Sequence, residues 1–354
     1  MINTTIPKPT AVQFRHAKLA SLGLGILLFT RSNIACSVES DSTARTNASL
    51  SSSPGQTGAM QADPKDQLVQ TTSRDAASHD ENESQKELDE AIRKIKSAGG
   101  NLERSRKGSL VKIQIGFSPS LATIERQRER DGVVCGIVFN GPKATDEALA
   151  MLQPFENLER IILYDCSATG TGLAAVNTES ILEFMAVDTP ITDAGLKHLT
   201  GNETIEGMTL GRTQISDEGL SVIGTLPNLR GLALFDNDIG DEGVEHLSDL
   251  KKINGIDLSE TRVTDAGVEH LSSLSSLTVL SLRSTDATDD CMEDLRLLKN
   301  LRYLSLTGTK VSDQGIVKLS GLGQLRRLDV TRTSVTEKGI KQLKERLPDL
   351  NVTF

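Results

Sequence analysis

An α/β solenoid of parallel rungs is the fold class that this sequence predicts, on three observations. A phrase with the form of LRYLSLTGTKVSDQGIVKL, found at Leu301–Leu319, returns every 24 residues through most of the second half and more of the chain. Inside each phrase the apolar period changes from two to three, the mark of a strand followed by a short helix. Between the two parts a turn of the form T-x-V-T-D-x-G returns with the phrase, so that each copy is one strand-turn-helix unit. Such a unit cannot cover its own apolar side, whereas stacked copies share one continuous core.

The anchors of the phrase are Val134, Leu158, Ile181, Ile205, Leu229, Ile253, Leu277, Leu301 and Leu325, spaced by 24, by 23, and then six times by 24. Leu110 lies 24 before the first and Leu350 lies 25 after the last, which marks them as incomplete end members. After each anchor the alternation predicts a strand with one buried side, as with Leu304 and Leu306. Ile316, Leu319 and Leu322, three apart, predict the helix.

The turn is written in small polar residues. Thr189, Thr213, Thr261, Thr285, Thr309 and Thr333, with Asn237 and Cys166 in the same slot, stand where the strand ends and can satisfy backbone groups of the turn and the next coil. Three residues on, Thr192, Ser216, Thr264, Thr288, Ser312 and Thr336 are N-cap candidates. Asp193, Asp217, Asp265, Asp289, Asp313 and Glu337 follow in the first helical turn, where the helix dipole favours negative charge. Gly172, Gly195, Gly219, Gly243, Gly267, Gly315 and Gly339 come two residues later. Glycine costs about 1 kcal/mol relative to Ala inside a helix, so its return predicts that the next coil passes too close for a Cβ. Cys291 and Ala148, both small, fill this slot in two copies, which makes Cys291 a packing residue.

Ahead of the repeats the chain changes character three times. Residues 1–36 have the layout of an export signal: Lys8, Arg15, His16 and Lys18, an apolar run of twelve from Leu19 to Thr30, and NIAC at Asn33–Cys36. Twelve residues are too few to span a bilayer. The tetrapeptide resembles a bacterial lipobox, which makes Cys36 the expected lipidation site. Asn33 and Arg31 depart from that pattern, and simple cleavage after Ala35 is the alternative. Residues 37–80, rich in Ser and Thr, are expected to be a disordered linker. Over 81–133 a helix carrying Leu88, Ala91, Ile92 and Ile95 on one face and stopped by Gly99–Gly100 is expected to cap the array, followed by a degenerate first repeat. The array proper is expected over 134–354, about nine 24-residue repeats and a C-terminal half repeat.

On these residues the sequence resembles the leucine-rich repeat proteins, of the helix-bearing type that includes the ribonuclease-inhibitor-like and cysteine-containing classes. LRYLSLTGTKVSDQGIVKL and INGIDLSETRVTDAGVEHL carry the resemblance and are close to the form common in bacterial exported members. It implies a horseshoe with parallel β-strands on the concave face and short helices on the convex face.

Composition narrows the function. The chain has 354 residues with 39 Lys+Arg against 48 Asp+Glu, no Trp, two Tyr and eight Phe, which argues against a nucleic-acid partner. Cys36, Cys135, Cys166 and Cys291 form no CxxC pair, and no nucleotide-binding motif is present. His198, His246 and His270 share one repeat slot; neighbouring helices lie about 8–10 Å apart, so a zinc ladder does not fit and a solvated helix face does. FDNDIGDEG at Phe235–Gly243 is acidic, yet its Asn237, Gly240, Asp241 and Gly243 fall on ordinary repeat slots. No cofactor, no metal and no enzymatic activity are expected.

What the repeat leaves free is the outward side of each strand. With strands about 4.8 Å apart, nine of them make a trough roughly 40 Å long. Its first half is apolar: Arg160, Ile162, Tyr164, Met185, Val187 and Phe235. Its middle is small, from Gly207 to Ser259, and its last part is charged: Arg283, Tyr303, Arg327, Asp329 and Arg332. An apolar patch with aromatics beside arginines predicts a site for a protein or peptide. The expected function is therefore a non-enzymatic binding scaffold at the cell envelope, in contact with the membrane only through the lipid of Cys36. The alternatives are a structural protein that assembles with itself, for which LNVTF would supply an open edge, and an accessory subunit of an enzyme complex.

Overall fold

The computed structural model of the chain describes residues 85–104, 110–114, 123–127 and 134–354. The export signal, Cys36 and the linker lie outside the described residues. A helix, α1, runs over 85–97 and is followed by β1 (Gly100–Arg104), β2 (Leu110–Gln114), β3 (Thr123–Gln127) and β4 (Val134–Asn140). Then come β5 (Arg160–Tyr164), β6 (Glu183–Val187), β7 (Gly207–Gly211), β8 (Gly231–Ala233), β9 (Gly255–Asp257), β10 (Val279–Ser281), β11 (Tyr303–Ser305), β12 (Arg327–Asp329) and β13 (Asn351–Thr353).

From β4 to β13 each strand pairs in parallel with the next. The pairing carries the register of the sequence: Gly136 lies beside Arg160, Arg160 beside Glu183 and Glu183 beside Gly207, so the single 23-residue interval is absorbed between β5 and β6. Consecutive parallel strands are joined through one or two short α or 3₁₀ helices, such as Asp217–Ile223 between β7 and β8. The core is one continuous column made of the anchors, the inward strand residues and one face of each helix. Among the described residues no helix is long and apolar enough to cross a membrane.

The first rung is closed in a different way from the others. β1 runs antiparallel to β4, with Gly100 beside Phe139, so it holds the place at which Leu110 predicted a degenerate rung. β2 and β3 pair antiparallel with each other instead. Ala91 and Ile95 of α1 join the core cluster, and Gly100 has room for no Cβ because Ile95 and Phe139 lie against it. An antiparallel strand fits here because only one side of β4 needs covering and no further coil has to follow.

The aspartate after each N-cap does more than face the helix dipole. Asp193 accepts from Ser216 N at 2.9 Å and Ser216 Oγ at 2.7 Å; Asp241 accepts from Thr264 N and Oγ1, and Asp313 from Thr336 N and Oγ1. Asp146, Asp265 and Asp289 serve Thr169, Thr288 and Ser312 in the same way, and Asp217 accepts from Gly240 N alone. Each carboxylate thus stitches its rung to the cap of the next. This also corrects the reason for glycine: at Gly219, Gly267 and Gly339 a Cβ would come within 2.4, 2.4 and 2.3 Å of the carboxylate of Asp193, Asp241 and Asp313, which belong to the preceding coil, not the next one. Where Cys291 replaces glycine the helix starts only at Met292, so Thr288 is no helix N-cap, although its Oγ1 accepts from Asp290 N at 3.2 Å. The other five N-cap candidates hold their helices through a side-chain oxygen.

At the far end of the strands a second ladder went unseen in the sequence. Asp165, Asp188, Arg212, Asp236, Glu260, Ser284 and Arg332 all adopt φ between 51° and 59°, and Gly308 has φ 72°. One residue per rung turns the chain out of the sheet in the left-handed region, and its N–H reaches the next rung, as Asp188 N does to Gly211 O at 3.1 Å. The strand-end Thr then closes the turn: Thr261, Thr285, Thr309 and Thr333 donate to the carbonyls of Leu258, Leu282, Leu306 and Val330. Asn237 does this for two rungs at once. Its amide donates to Leu234 O and Leu210 O and accepts from Thr213 N and Oγ1.

Candidate functional site

The face of the sheet turned away from the helices presents two or three side chains per rung, and the structure divides it into two regions. In the first, over β5–β8, most of the residues singled out in the sequence are used by the fold itself. Arg160 Nε donates to Glu183 Oε2 at 2.7 Å, and its Nη1 meets Glu103 of β1 at 3.3 Å. Glu183 is buried, and burial raises its carboxyl above the ordinary range against the pull of Arg160. Ile162 and Val187, expected to open onto the trough, are 6% and 2% exposed and belong to the interior. In the ladder Ile162 lies between Val138 and Met185, and Val187 lies between Tyr164 and Gly211, against which the Phe235 ring packs. Tyr164 is half-buried and donates to Met185 Sδ at 2.9 Å; burial raises its phenol.

Phe235, also half-buried, packs the end of its ring against Gly211, whose place would admit no Cβ. The guanidinium of Arg212 stands 5.2 Å from its ring centroid while pairing with Asp188, a cation–π arrangement. Gly207, Thr209, Gly231, Ala233 and Gly255 beside it are buried.

The second region, over β9–β12, is polar. Asp257 accepts from Ser259 N at 3.0 Å and from Ser259 Oγ, which in turn meets Ser281 Oγ at 2.8 Å; burial raises the Asp257 carboxyl. Three rungs later Asp329 accepts from Thr331 N and Oγ1 in the same arrangement. Arg283 stands 3.7 Å from Glu260. Tyr303 is half-buried between Val279 and Arg327 in the ladder, its phenol raised by burial and then by Asp329, and Arg327 is exposed. Arg332 is not on the strand face: it occupies the left-handed turn position after β12, exposed, because that turn bends the chain away before its side chain could join the row.

Two residues that sequence reasoning missed complete this region. Arg302 and Arg326 precede β11 and β12 by one residue, in the same repeat slot, and both are exposed. Two arginines in register on an acidic chain were the signal available.

Charge pairing sets a few arginines of β11–β12 apart from the other cations of the array. Eight of the nine cations from Arg160 to Arg296 stand against a carboxylate, and the ninth, Lys252, donates to Asn228. Arg302, Arg326, Arg327 and Arg332 take part in none of the ion pairs formed among the described residues.

Cys135, Cys166 and Cys291 are buried free thiols; burial pushes Cys166 up to about 11 and Cys291 higher still. Among the described residues no three His, Cys, Asp or Glu side chains gather as a metal site would require. His198 and His246 are exposed and His270 half-buried on the helix side.

A family model described as Leucine Rich repeat matches residues 225–248 and 298–320. No curated protein matches the chain. Among solved structures, an internalin from Listeria monocytogenes is similar at 16% identity over 58% of this chain and 69% of its own, with a TM-score of 0.39. Internalin C2 from the same organism is similar at 22% identity over 58% and 84%, with a TM-score of 0.42. Ten parallel strands stand in the 24-residue register, and the family model matches two stretches within them, so the array has the fold of a leucine-rich repeat solenoid.

Proposed function

We propose that the chain is a non-enzymatic scaffold that binds a protein or peptide on the concave face of its repeat array. The observation that carries this reading is the division of labour within each rung. Core, turn and helix residues are set by the repeat, while the outward strand residues change from rung to rung on a rigid frame. Tyr164, Met185, Tyr303 and Arg327 keep accessible surface there and are the contact residues, with Arg283 and Asp329 orienting a partner. Ile162, Val187 and Arg160 support the face from beneath, and Phe235 supports it from above Gly211. The protein acts after export, at the cell envelope, with residues 37–80 as a tether and Cys36 as the lipid-bearing residue. Mass spectrometry of the mature N-terminus tests that part: a diacylglyceryl group on Cys36 supports it, and a free N-terminus at another residue overturns it.

Binding is tested by selecting peptides from a displayed random library against the full chain. Selected peptides should lose affinity on the double substitution Tyr303→Ala/Arg327→Ala and keep it on Lys197→Ala/Glu245→Ala of the helix side. Peptides that respond only to the helix-side pair would place the binding surface elsewhere.

A further inference from the structure

The region over β11–β12 has a charge problem that the fold does not solve. Arg302 and Arg326 occupy the same slot in adjacent rungs, and Arg326 N donates to Arg302 O at 2.9 Å, so their side chains leave the backbone about one rung spacing, roughly 4.8 Å, apart. Arg327 follows on the next residue and lies beside Tyr303 in the ladder. Like charges in register repel, by an amount comparable to the attraction of an opposite pair. Elsewhere this chain places opposite charges in such slots, as with Arg212 and Asp188, Arg262 and Asp238, and Lys310 and Asp286, each 24 residues apart. Asp329, on the same strand as Arg327, is engaged with Thr331. Arg326 Nη1 rests on the carbonyls of Gly323 and Leu325, which neutralise nothing.

We infer that Arg302, Arg326 and Arg327 form the docking rim for an acidic polypeptide segment, with Tyr303 as the aromatic contact beside it. The inference rests on the concave-face reading and names the partner class for it. Guanidinium groups bind carboxylates in pairs of parallel hydrogen bonds, which suits side chains of Asp or Glu laid across successive rungs. Three cations in no ion pair among the described residues, on a chain of net charge −9, also concentrate attraction for an anion at one rim, where they would steer encounter. A polypeptide fits better than the other polyanions. The rim continues into the strand face, where Tyr303 and the hydroxyl of Thr307 are half-buried, and a flat bilayer could not follow it there. A nucleic acid would find a single aromatic ring and an otherwise acidic body.

The test is fluorescence anisotropy at low salt with a labelled peptide of alternating Glu and Gly, and with its Gln and Gly counterpart. The full chain should bind the Glu peptide, and the Gln peptide roughly tenfold more weakly or not at all. Arg302→Gln/Arg326→Gln should weaken Glu-peptide binding about tenfold, while Arg262→Gln/Lys310→Gln, which removes two charges from paired sites, should change it by less than about twofold. Circular dichroism of both double variants confirms that they are folded. Equal weakening by the two pairs, absence of Glu-peptide binding to the unsubstituted chain, or tighter binding of phosphatidylglycerol vesicles or a single-stranded oligonucleotide overturns the inference. Selected peptides that are neutral, respond to Tyr303→Ala/Arg327→Ala and ignore the Arg302/Arg326 pair would overturn it while leaving the concave-face reading intact.

Discussion

The outward faces of β5–β8 and of β9–β12 share one backbone plan and differ in what their side chains are attached to. In the first, Arg160 ties β5 to β6 and to β1, Phe235 fills the space that Gly211 leaves, and Ile162 and Val187 are interior. In the second, Tyr303 and Asp329 keep partial exposure, and Arg302, Arg326 and Arg327 are in no ion pair among the described residues. A repeat supplies the same slots to every rung, so the difference lies in how each slot is closed: by another part of the chain in one region, by solvent or a partner in the other. Apolar composition is therefore a poor guide to a binding face, and unsolved charge a better one.

Acid treatment should erase the comparison altogether, and has the largest expected effect. The stitching carboxylates run the whole length of the array. Burial opposes ionisation of Asp146 and Asp265, yet hydrogen bonds from Gly172 and Thr169, and from Thr288, hold both below the ordinary range; the Thr336 N–H does so for Asp313. A carboxyl depressed by folding contributes stability at pH above its unfolded value, about 3.9, and that contribution is lost as pH falls through the depressed folded values. Sheet and helix signal should therefore collapse below about pH 4, in both regions together. Circular dichroism across pH, with Asp265→Asn reducing the steepness, checks this. Survival of either half alone, seen by hydrogen exchange, would show that the stitches are not what joins the rungs.

Next in size is the removal of Glu183. It leaves the Arg160 guanidinium, 22% exposed, with only the longer contact to Glu103. Losing one member of a buried pair costs about 3–5 kcal/mol, and Glu183→Ala should fall near the lower figure because Glu103 remains. Arg327→Ala, at an exposed site, should change stability by less than about 0.5 kcal/mol. Urea midpoints followed by circular dichroism, the chain having no Trp, separate the two. Similar midpoints would remove the distinction drawn between the regions. A Cβ at Gly315 would come within 2.0 Å of Asp289 Oδ1, so Gly315→Ala should cost about 1–3 kcal/mol, whichever region it is counted in.

Anchors, strand side, helix side and the place of the turn were all legible in the sequence, because each returns as the same residue type at a fixed interval. The glycine slot was legible as a close approach, but not the identity of what approaches: Asp193 reaches Ser216 across a coil, and nothing in the local pattern says which way a carboxylate points. The left-handed slot was illegible for the opposite reason. Asp165, Arg212, Glu260, Ser284 and Gly308 share a backbone conformation and no chemistry. Antiparallel β1 left no trace, since NLER lacks alternation of the kind seen in the repeats. At the site, the outward position of Ile162 and Val187 followed from the strand period, whereas their burial depends on neighbours in space. Arg302 and Arg326 were hidden by lying one residue outside the strands.

The smallest expected effect bears most directly on function. If Arg302 and Arg326 repel each other in the free protein, Arg326→Gln should not weaken the fold as loss of a charged contact would, but strengthen it, by about 0.2–0.5 kcal/mol. Arg212→Gln, which breaks a pair with Asp188 and a contact with the Phe235 ring, should weaken it by about 0.5–1 kcal/mol. The two substitutions are chemically identical, so opposite signs would isolate the setting of the charge. Added salt should shrink the gain at Arg326, since screening relieves the same repulsion. A charged site that costs the free protein stability is one that a bound anion would relieve. Matching signs for the two substitutions would mean that the cations over β11–β12 are as settled as those of the earlier rungs, and the reason to seek an acidic partner there would be gone.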